Sequence, residues 1–137
     1  MNNILLDTNV LVYSIDVDSK YHHQSLKLLQ TKEYNLATTS KNISELLVVL
    51  TRGPVISINS AEALEVVSNL TLNIQVLYPN VNSSKIFYEL IQKYKPSGLK
   101  IHDFEIISIG IECDFKEIAT FNTKDFKIIE EISLYSF

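Results

Sequence analysis

Ile4-Leu5-Leu6-Asp7-Thr8-Asn9-Val10-Leu11-Val12-Tyr13 sets one carboxylate between two apolar runs. The first run reads as a short buried strand over residues 2–6. The second reads as a helix over about 9–15. Asp7 then stands at the C-terminal end of a strand, where open α/β sheets place their ligands. Thr8 or Asn9 would cap the helix, or Asp7 itself would do so. A lone acid in this position decides little; three more acidic or amide positions in matching places downstream raise its weight.

Further along, the chain alternates strand and helix signals. Asp16, Asp18 and Ser19 form a polar break, and residues 20–31 have helical spacing. His22 and His23 open that helix; adjacent histidines point about 100° apart, which suits surface or capping roles better than chelation. Residues 36–39 read as the second strand. Ser40 is expected to cap a helix over about 42–51, with Ile43, Leu46, Leu47 and Leu50 on its apolar face and Glu45 among them. Arg52-Gly53-Pro54 stops it, and 55–59 read as a turn or a short extended piece. A helix over about 61–70, a strand over 74–78 and a helix capped by Ser83 or Ser84 follow. Ile101-His102-Asp103 begins a helix buried on most sides. Residues 117–121 read as a strand, 122–126 as a polar loop, and 132–135 as an edge strand.

This alternation predicts an α/β fold, a central parallel sheet of four to five strands flanked by helices in three layers. At 137 residues, a single domain over 1–137 is expected. Asp7 and Asn122 follow strands, while Glu45 and Asp103 are expected in the first turns of helices. All four are therefore expected on one edge of the sheet.

The composition narrows the class. Hydrophobic residues make up 46% and charged residues 20%, as in ordinary globular proteins. No apolar run reaches the roughly 20 residues that span a bilayer, and no basic-then-apolar leader opens the chain. A single cysteine, Cys113, leaves no internal disulfide and fits a reducing cytoplasm. The net charge of −4 argues against binding nucleic acid through one broad basic face. A nuclease whose metal ion meets the phosphate stays open.

Three converging carboxylates would repel one another unless a hard divalent cation sits among them. Mg²⁺ and Mn²⁺ prefer oxygen ligands and take substrate phosphates as further ligands. Zinc is set aside because the acids lack Cys or His partners in a zinc spacing. Asn9 occupies the position where a phosphoaspartyl phosphatase carries its second Asp, and Tyr78-Pro79 ends the strand where a receiver domain needs an acid. No glycine-rich phosphate loop is present.

The chain resembles the PIN-domain ribonucleases, and most closely the VapC-type toxins of toxin–antitoxin pairs. The resemblance is carried by Leu-Leu-Asp-Thr-Asn-Val-Leu at 5–11, Ser-Glu-Leu at 44–46, His-Asp-Phe at 102–104 and Thr-Phe-Asn-Thr-Lys-Asp-Phe at 120–126. It implies a PIN-like fold and an Mg²⁺- or Mn²⁺-dependent endoribonuclease. Asp7, Glu45 and Asp103 match the metal-binding acids. The fourth position is open between Asn122, which the reading favours as the catalytic residue, and Asp125, the remaining acid of the motif and a further metal ligand if it reaches the site. Thr8 and Thr120 are expected to support the acids by hydrogen bonds, and Lys100 and Lys124 to lie nearest the substrate. The resemblance also implies an RNA substrate, a homodimer and inhibition by a cognate antitoxin. Apolar faces at 43–50 and 86–94, in excess of core needs, also suit a homodimer. The alternative is a non-catalytic module of the same fold that binds RNA or protein.

Overall fold

The computed structural model describes residues 1–54 and 56–137. Five strands form one all-parallel sheet in the order β3-β2-β1-β4-β5: β1 (Asn2–Leu6), β2 (Tyr34–Thr39), β3 (Gln75–Leu77), β4 (Glu117–Ala119) and β5 (Ser133–Leu134). Among the described residues, seven α-helices lie between and beside them: α1 (Thr8–Ile15), α2 (His22–Gln30), α3 (Ser40–Arg52), α4 (Ser60–Leu70), α5 (Val81–Tyr94), α6 (Lys100–Glu112) and the single turn α7 (Thr123–Phe126). Val55, at the start of the 55–59 segment expected to turn or extend, lies outside the described residues, and 56–59 form neither helix nor strand.

The three layers follow from the pleat of β1. Successive strand side chains point to opposite faces. Leu5 joins Phe104, Ile107 and Leu90 in the core beneath α5 and α6, whereas Ile4 and Leu6 join Leu11, Leu28, Leu46 and Ala63 beneath α1 to α4. With both faces covered, β1 reads as an unbroken aliphatic run instead of an alternation. Helix α6 comes unusually close to the sheet: a Cβ on Gly110 would lie 2.8 Å from Leu5 Cδ2 and 2.8 Å from the carbonyl oxygen of Phe115. That approach explains a glycine inside a helix otherwise rich in isoleucine.

Except for α2, which starts at His22 within the 20–31 stretch, the helix starts sit one or more residues earlier than the sequence reading has them. Thr39, not Ser40, caps α3 in a reciprocal capping box with Asn42. Asn80, not Ser83 or Ser84, caps α5, with Ser83 as its capping-box partner. Asp7 itself caps α1, accepting from the Thr8 amide, so neither Thr8 nor Asn9 has that role. The expected polar loop at 122–126 is mostly helical turn. His22 fills a structural role, its Nδ1 lying 2.8 Å from the Tyr13 carbonyl oxygen and tying α2 to α1.

Candidate active site

Strand order turns at β1, whose neighbours β2 and β4 lead to opposite sides of the sheet. The crevice beyond the C-terminal ends of strands at such a switch point is the usual ligand site of open α/β sheets. Here a cleft of about 350 Å³ opens there, lined by Asp7, Thr8, Asn9, Glu45, Asp103 and Asn122, with Val12, Tyr13 and Val49 as apolar walls.

Asp7 is the buried member, with 8% of its surface exposed. Its two oxygens are held separately. Oδ1 accepts from the Thr8 amide at 2.8 Å and lies 3.5 Å from Asn42 Nδ2. Oδ2 accepts from the Thr120 hydroxyl at 2.8 Å and from Asn9 Nδ2 at 3.4 Å. Asp7 therefore caps a helix and faces the cleft with the same carboxylate. Burial raises its pKa above the usual carboxylate value, opposed by the hydrogen bonds from Thr120 and Thr8 and reinforced by the charges of Glu45 and Asp125.

Glu45 is anchored through a short relay. The Thr8 hydroxyl donates to Glu45 Oε2 at 2.7 Å and accepts from Asn42 Nδ2 at 2.9 Å. Asn42 is fully buried, and its Oδ1 accepts from the Thr39 hydroxyl at 2.6 Å. Because Asn42 occupies a lone pair of the Thr8 oxygen, the Thr8 proton is directed at the Glu45 carboxylate. Sequence reading missed Asn42; its only signal was the Thr39-x-x-Asn42 spacing of a capping box. Glu45 itself stands at the sixth position of α3, in its second turn rather than its first.

Asp103 lies in the first turn of α6 and is half-buried. Its pKa is pushed up to about 7, first by burial and then by the negative charges of Asp7, Asp125 and Glu45, with Lys100 opposing. Such a rise through like charges is the electrostatic signature of converging acids. His102, its neighbour in sequence, is exposed and does not line the cleft.

Asn122 and Asp125 divide the fourth position between them. Asn122 lines the cleft; Asp125 does not, but it accepts a short hydrogen bond from Asn122 Nδ2 and lies 4.0 Å from Lys100 Nζ. Asn9 completes the floor. Its Nδ2 donates to the Thr120 oxygen at 3.1 Å and its Oδ1 accepts from the Phe121 amide at 3.2 Å, binding the ends of β1 and β4 together.

Among the described residues, no three Asp, Glu, His or Cys side chains are gathered closely enough to enclose an ion by themselves. The donor set nonetheless suits Mg²⁺ or Mn²⁺. All its groups offer hard oxygen atoms, and Mg²⁺ binds through one or two carboxylates plus waters and substrate phosphates rather than in an all-protein cage.

Comparison with known proteins agrees with this architecture. Residues 4–132 match the PIN domain family model. The fold is similar to that of VapBC2 from Rickettsia felis bound to a promoter DNA fragment, with TM-score 0.76 and 20% identity over 98% of each chain. It is also similar to VapBC-1 from nontypeable Haemophilus influenzae, with TM-score 0.73 and 20% identity over 98% of this chain and 97% of that one. VapC20 of Mycobacterium tuberculosis, a sarcin-ricin loop cleaving toxin, superimposes with TM-score 0.70 at 12% identity, covering 92% of this chain and 95% of its own. No curated protein matches the chain in sequence. With the family model spanning 4–132 and the VapC fold reproduced throughout, the chain belongs to the PIN-domain family.

Proposed function

We propose that this protein is a metal-dependent endoribonuclease and the toxin of a toxin–antitoxin pair, acting in the cytoplasm as a homodimer. One observation carries the reading: Asp7, Glu45, Asp103 and Asn122 line a single cleft at the switch point of the sheet. A fold that gathers acids without a compensating cation in their midst is suited to receive one.

Asp7, Glu45 and Asp103 would hold Mg²⁺ or Mn²⁺, with Asp125 close enough to shape the field through Asn122. When bound, such an ion lowers the pKa of a water and stabilises the charge that develops on a phosphodiester. The chain's own part is to keep the carboxylates aimed. Thr120 and Asn9 fix Asp7, and the Asn42–Thr8 relay fixes Glu45. Asn122, uncharged, would orient a water or a phosphate oxygen by its amide. Lys100, exposed beside Asp125, would meet a substrate phosphate.

The partner assignments draw on the same likeness. The Rickettsia felis and Haemophilus influenzae structures are of VapBC complexes, which supports an antitoxin as partner. A homodimer is supported by exposed apolar side chains within the two stretches singled out in the sequence, Val48 on α3 at 52% and Tyr88 on α5 at 65%, although the expected faces themselves largely pack into the core.

A second reading, a non-catalytic module that binds RNA or protein, draws on the spacing of the acids, which do not form a closed cage. Incubating total RNA with the purified protein in Mg²⁺, in Mn²⁺ and in EDTA separates the two. Cleavage in either metal and none in EDTA supports the nuclease; RNA bound but intact in all three supports the module.

A further inference from the structure

A second hollow, of about 400 Å³, lies beside the acid cleft. Its walls include Tyr21, Phe121 and Phe137, and its rim carries Gln24, Thr123 and Ser136. Two links tie it to the cleft. Thr120 lines the hollow while donating to Asp7. Tyr13 lines the cleft while packing against Tyr21 at 5.2 Å and Phe121 at 5.5 Å between ring centroids. The hollow and the acids are thus one side chain apart.

The rings form a flat stack. Phe121 stacks on Tyr21 with centroids 4.3 Å apart and planes 22° from parallel, and on Phe137 at 4.2 Å and 18°. Phe137 is 38% exposed, so aromatic surface stays open to solvent. At the rim, Gln24, Thr123 and Ser136 are exposed, and none is engaged in a side-chain hydrogen bond among the described residues, so their polar groups are free to meet a ligand. Cations stand next to it, with Lys20 Nζ 5.0 Å above the Tyr21 ring and Lys124 exposed on α7.

Flat aromatic surface, free donors and acceptors at its edge, and nearby cations are the requirements of an unpaired nucleobase with its phosphates. We propose that this hollow seats one base of single-stranded RNA next to the scissile phosphate. Phe121 is sandwiched between Tyr21 and Phe137, so the outer face of Phe137, held flat by that stack, takes the face of the base, and Gln24, Thr123 and Ser136 read its polar edge. The proposal rests on the nuclease reading and gives that site a means of choosing where to cut. A peptide side chain would use the apolar wall but leave the polar rim without a purpose.

The test uses a short single-stranded oligoribonucleotide carrying 2-aminopurine, titrated with the full chain in Ca²⁺, with Tyr21→Leu, Phe137→Leu and Gln24→Ala as variants. Melting temperatures establish that each variant is folded. Wild type is expected to quench the fluorescence on binding, and the two ring variants to bind about tenfold or more weakly, in line with the loss of a base–aromatic stack. Gln24→Ala is expected to keep the quenching and change the relative affinity for purines and pyrimidines at one position. Unaltered affinity in both ring variants overturns the proposal, as does a ring variant that binds RNA normally but releases a protein partner. The nuclease reading fails separately: wild type that quenches and shows these differences yet cuts no RNA in Mg²⁺ or Mn²⁺ leaves the base site standing and removes the enzyme.

Discussion

Replacing Asp103 by Asn separates a metal ligand from a helix-starting acid, because the two roles have opposite effects on the metal-free protein. The carboxyl titrates at about 7 instead of 3.8, because of burial and of Asp7, Asp125 and Glu45. A shift of that size corresponds to about 4 kcal/mol against the ionised form. The acid faces an open cleft, where solvent screening reduces this to about 2 kcal/mol. Against it stands the loss of a negative charge from the first turn of α6, worth roughly 0.5 kcal/mol. Relief of burial and repulsion together wins by about 1.5 kcal/mol, or about 5 °C in melting temperature for a domain of this size. The effect has a defined pH dependence. The folded-state pKa is raised, so the native state binds the proton more tightly, and this group's penalty is absent below about 4. It grows as pH rises through 7 and is constant above. The variant should therefore melt higher than wild type at pH 8 in EDTA, and the difference should shrink toward pH 5. Added Mn²⁺ at 100 times its dissociation constant should stabilise wild type by about 2.7 kcal/mol, and the variant much less. Differential scanning calorimetry reads all of these. A variant that melts lower than wild type at pH 8 in EDTA and gains equally from Mn²⁺ refutes the reasoning and leaves Asp103 as a helix-start acid.

Other perturbations probe the supports of the site. Thr8→Val removes the hydroxyl between Asn42 and Glu45 and leaves the fully buried Asn42 amide only its 3.5 Å contact with Asp7; chemical denaturation should show a loss of about 1–3 kcal/mol. Asn122→Ala should slow RNA cleavage more than Asp125→Ala, since only Asn122 lines the cleft; the reverse order of rates would transfer the fourth position to Asp125. Gly110→Ala should destabilise by about 1–3 kcal/mol, because the Phe115 carbonyl that meets the new methyl is backbone and cannot rotate away. Light scattering at micromolar concentration should give the mass of a dimer, and a monomer would count against the exposed faces of α3 and α5 as an interface.

The sheet and the edge on which the acids lie could be read from the sequence because the signals are local. Ile4-Leu5-Leu6 before Asp7 and Ile118-Ala119 before Asn122 mark strands by their apolar runs, and each is followed by the polar residue that enters the cleft. Glu45 stood out as an acid on an apolar helix. What stayed hidden depends on side chains meeting across the chain. Asn42 looks like an ordinary helix residue, yet its amide reaches 34 positions back to Thr8. The dual role of Asp7, as cap and cleft acid, could be posed but not decided, since both roles need a carboxylate at that point. Cap positions slipped because Thr39-Ser40 and Asn80 with Ser83-Ser84 each offer several capping side chains, and backbone conformation selects among them. The aromatic stack joins Tyr21, Phe121 and Phe137 from three separate regions, with no spacing to announce it.

The most direct test of the central claim is the chemistry of the ends that the protein leaves on RNA. If Asp7, Glu45 and Asp103 hold a divalent ion, water would be the nucleophile and the ribose 2′-hydroxyl would take no part in cleavage. A defined RNA cut in Mn²⁺ should therefore carry only linear phosphate ends, with cutting lost in EDTA and in Asp7→Asn. Products ending in a 2′,3′-cyclic phosphate, or cutting that persists in EDTA and in Asp7→Asn, would contradict it.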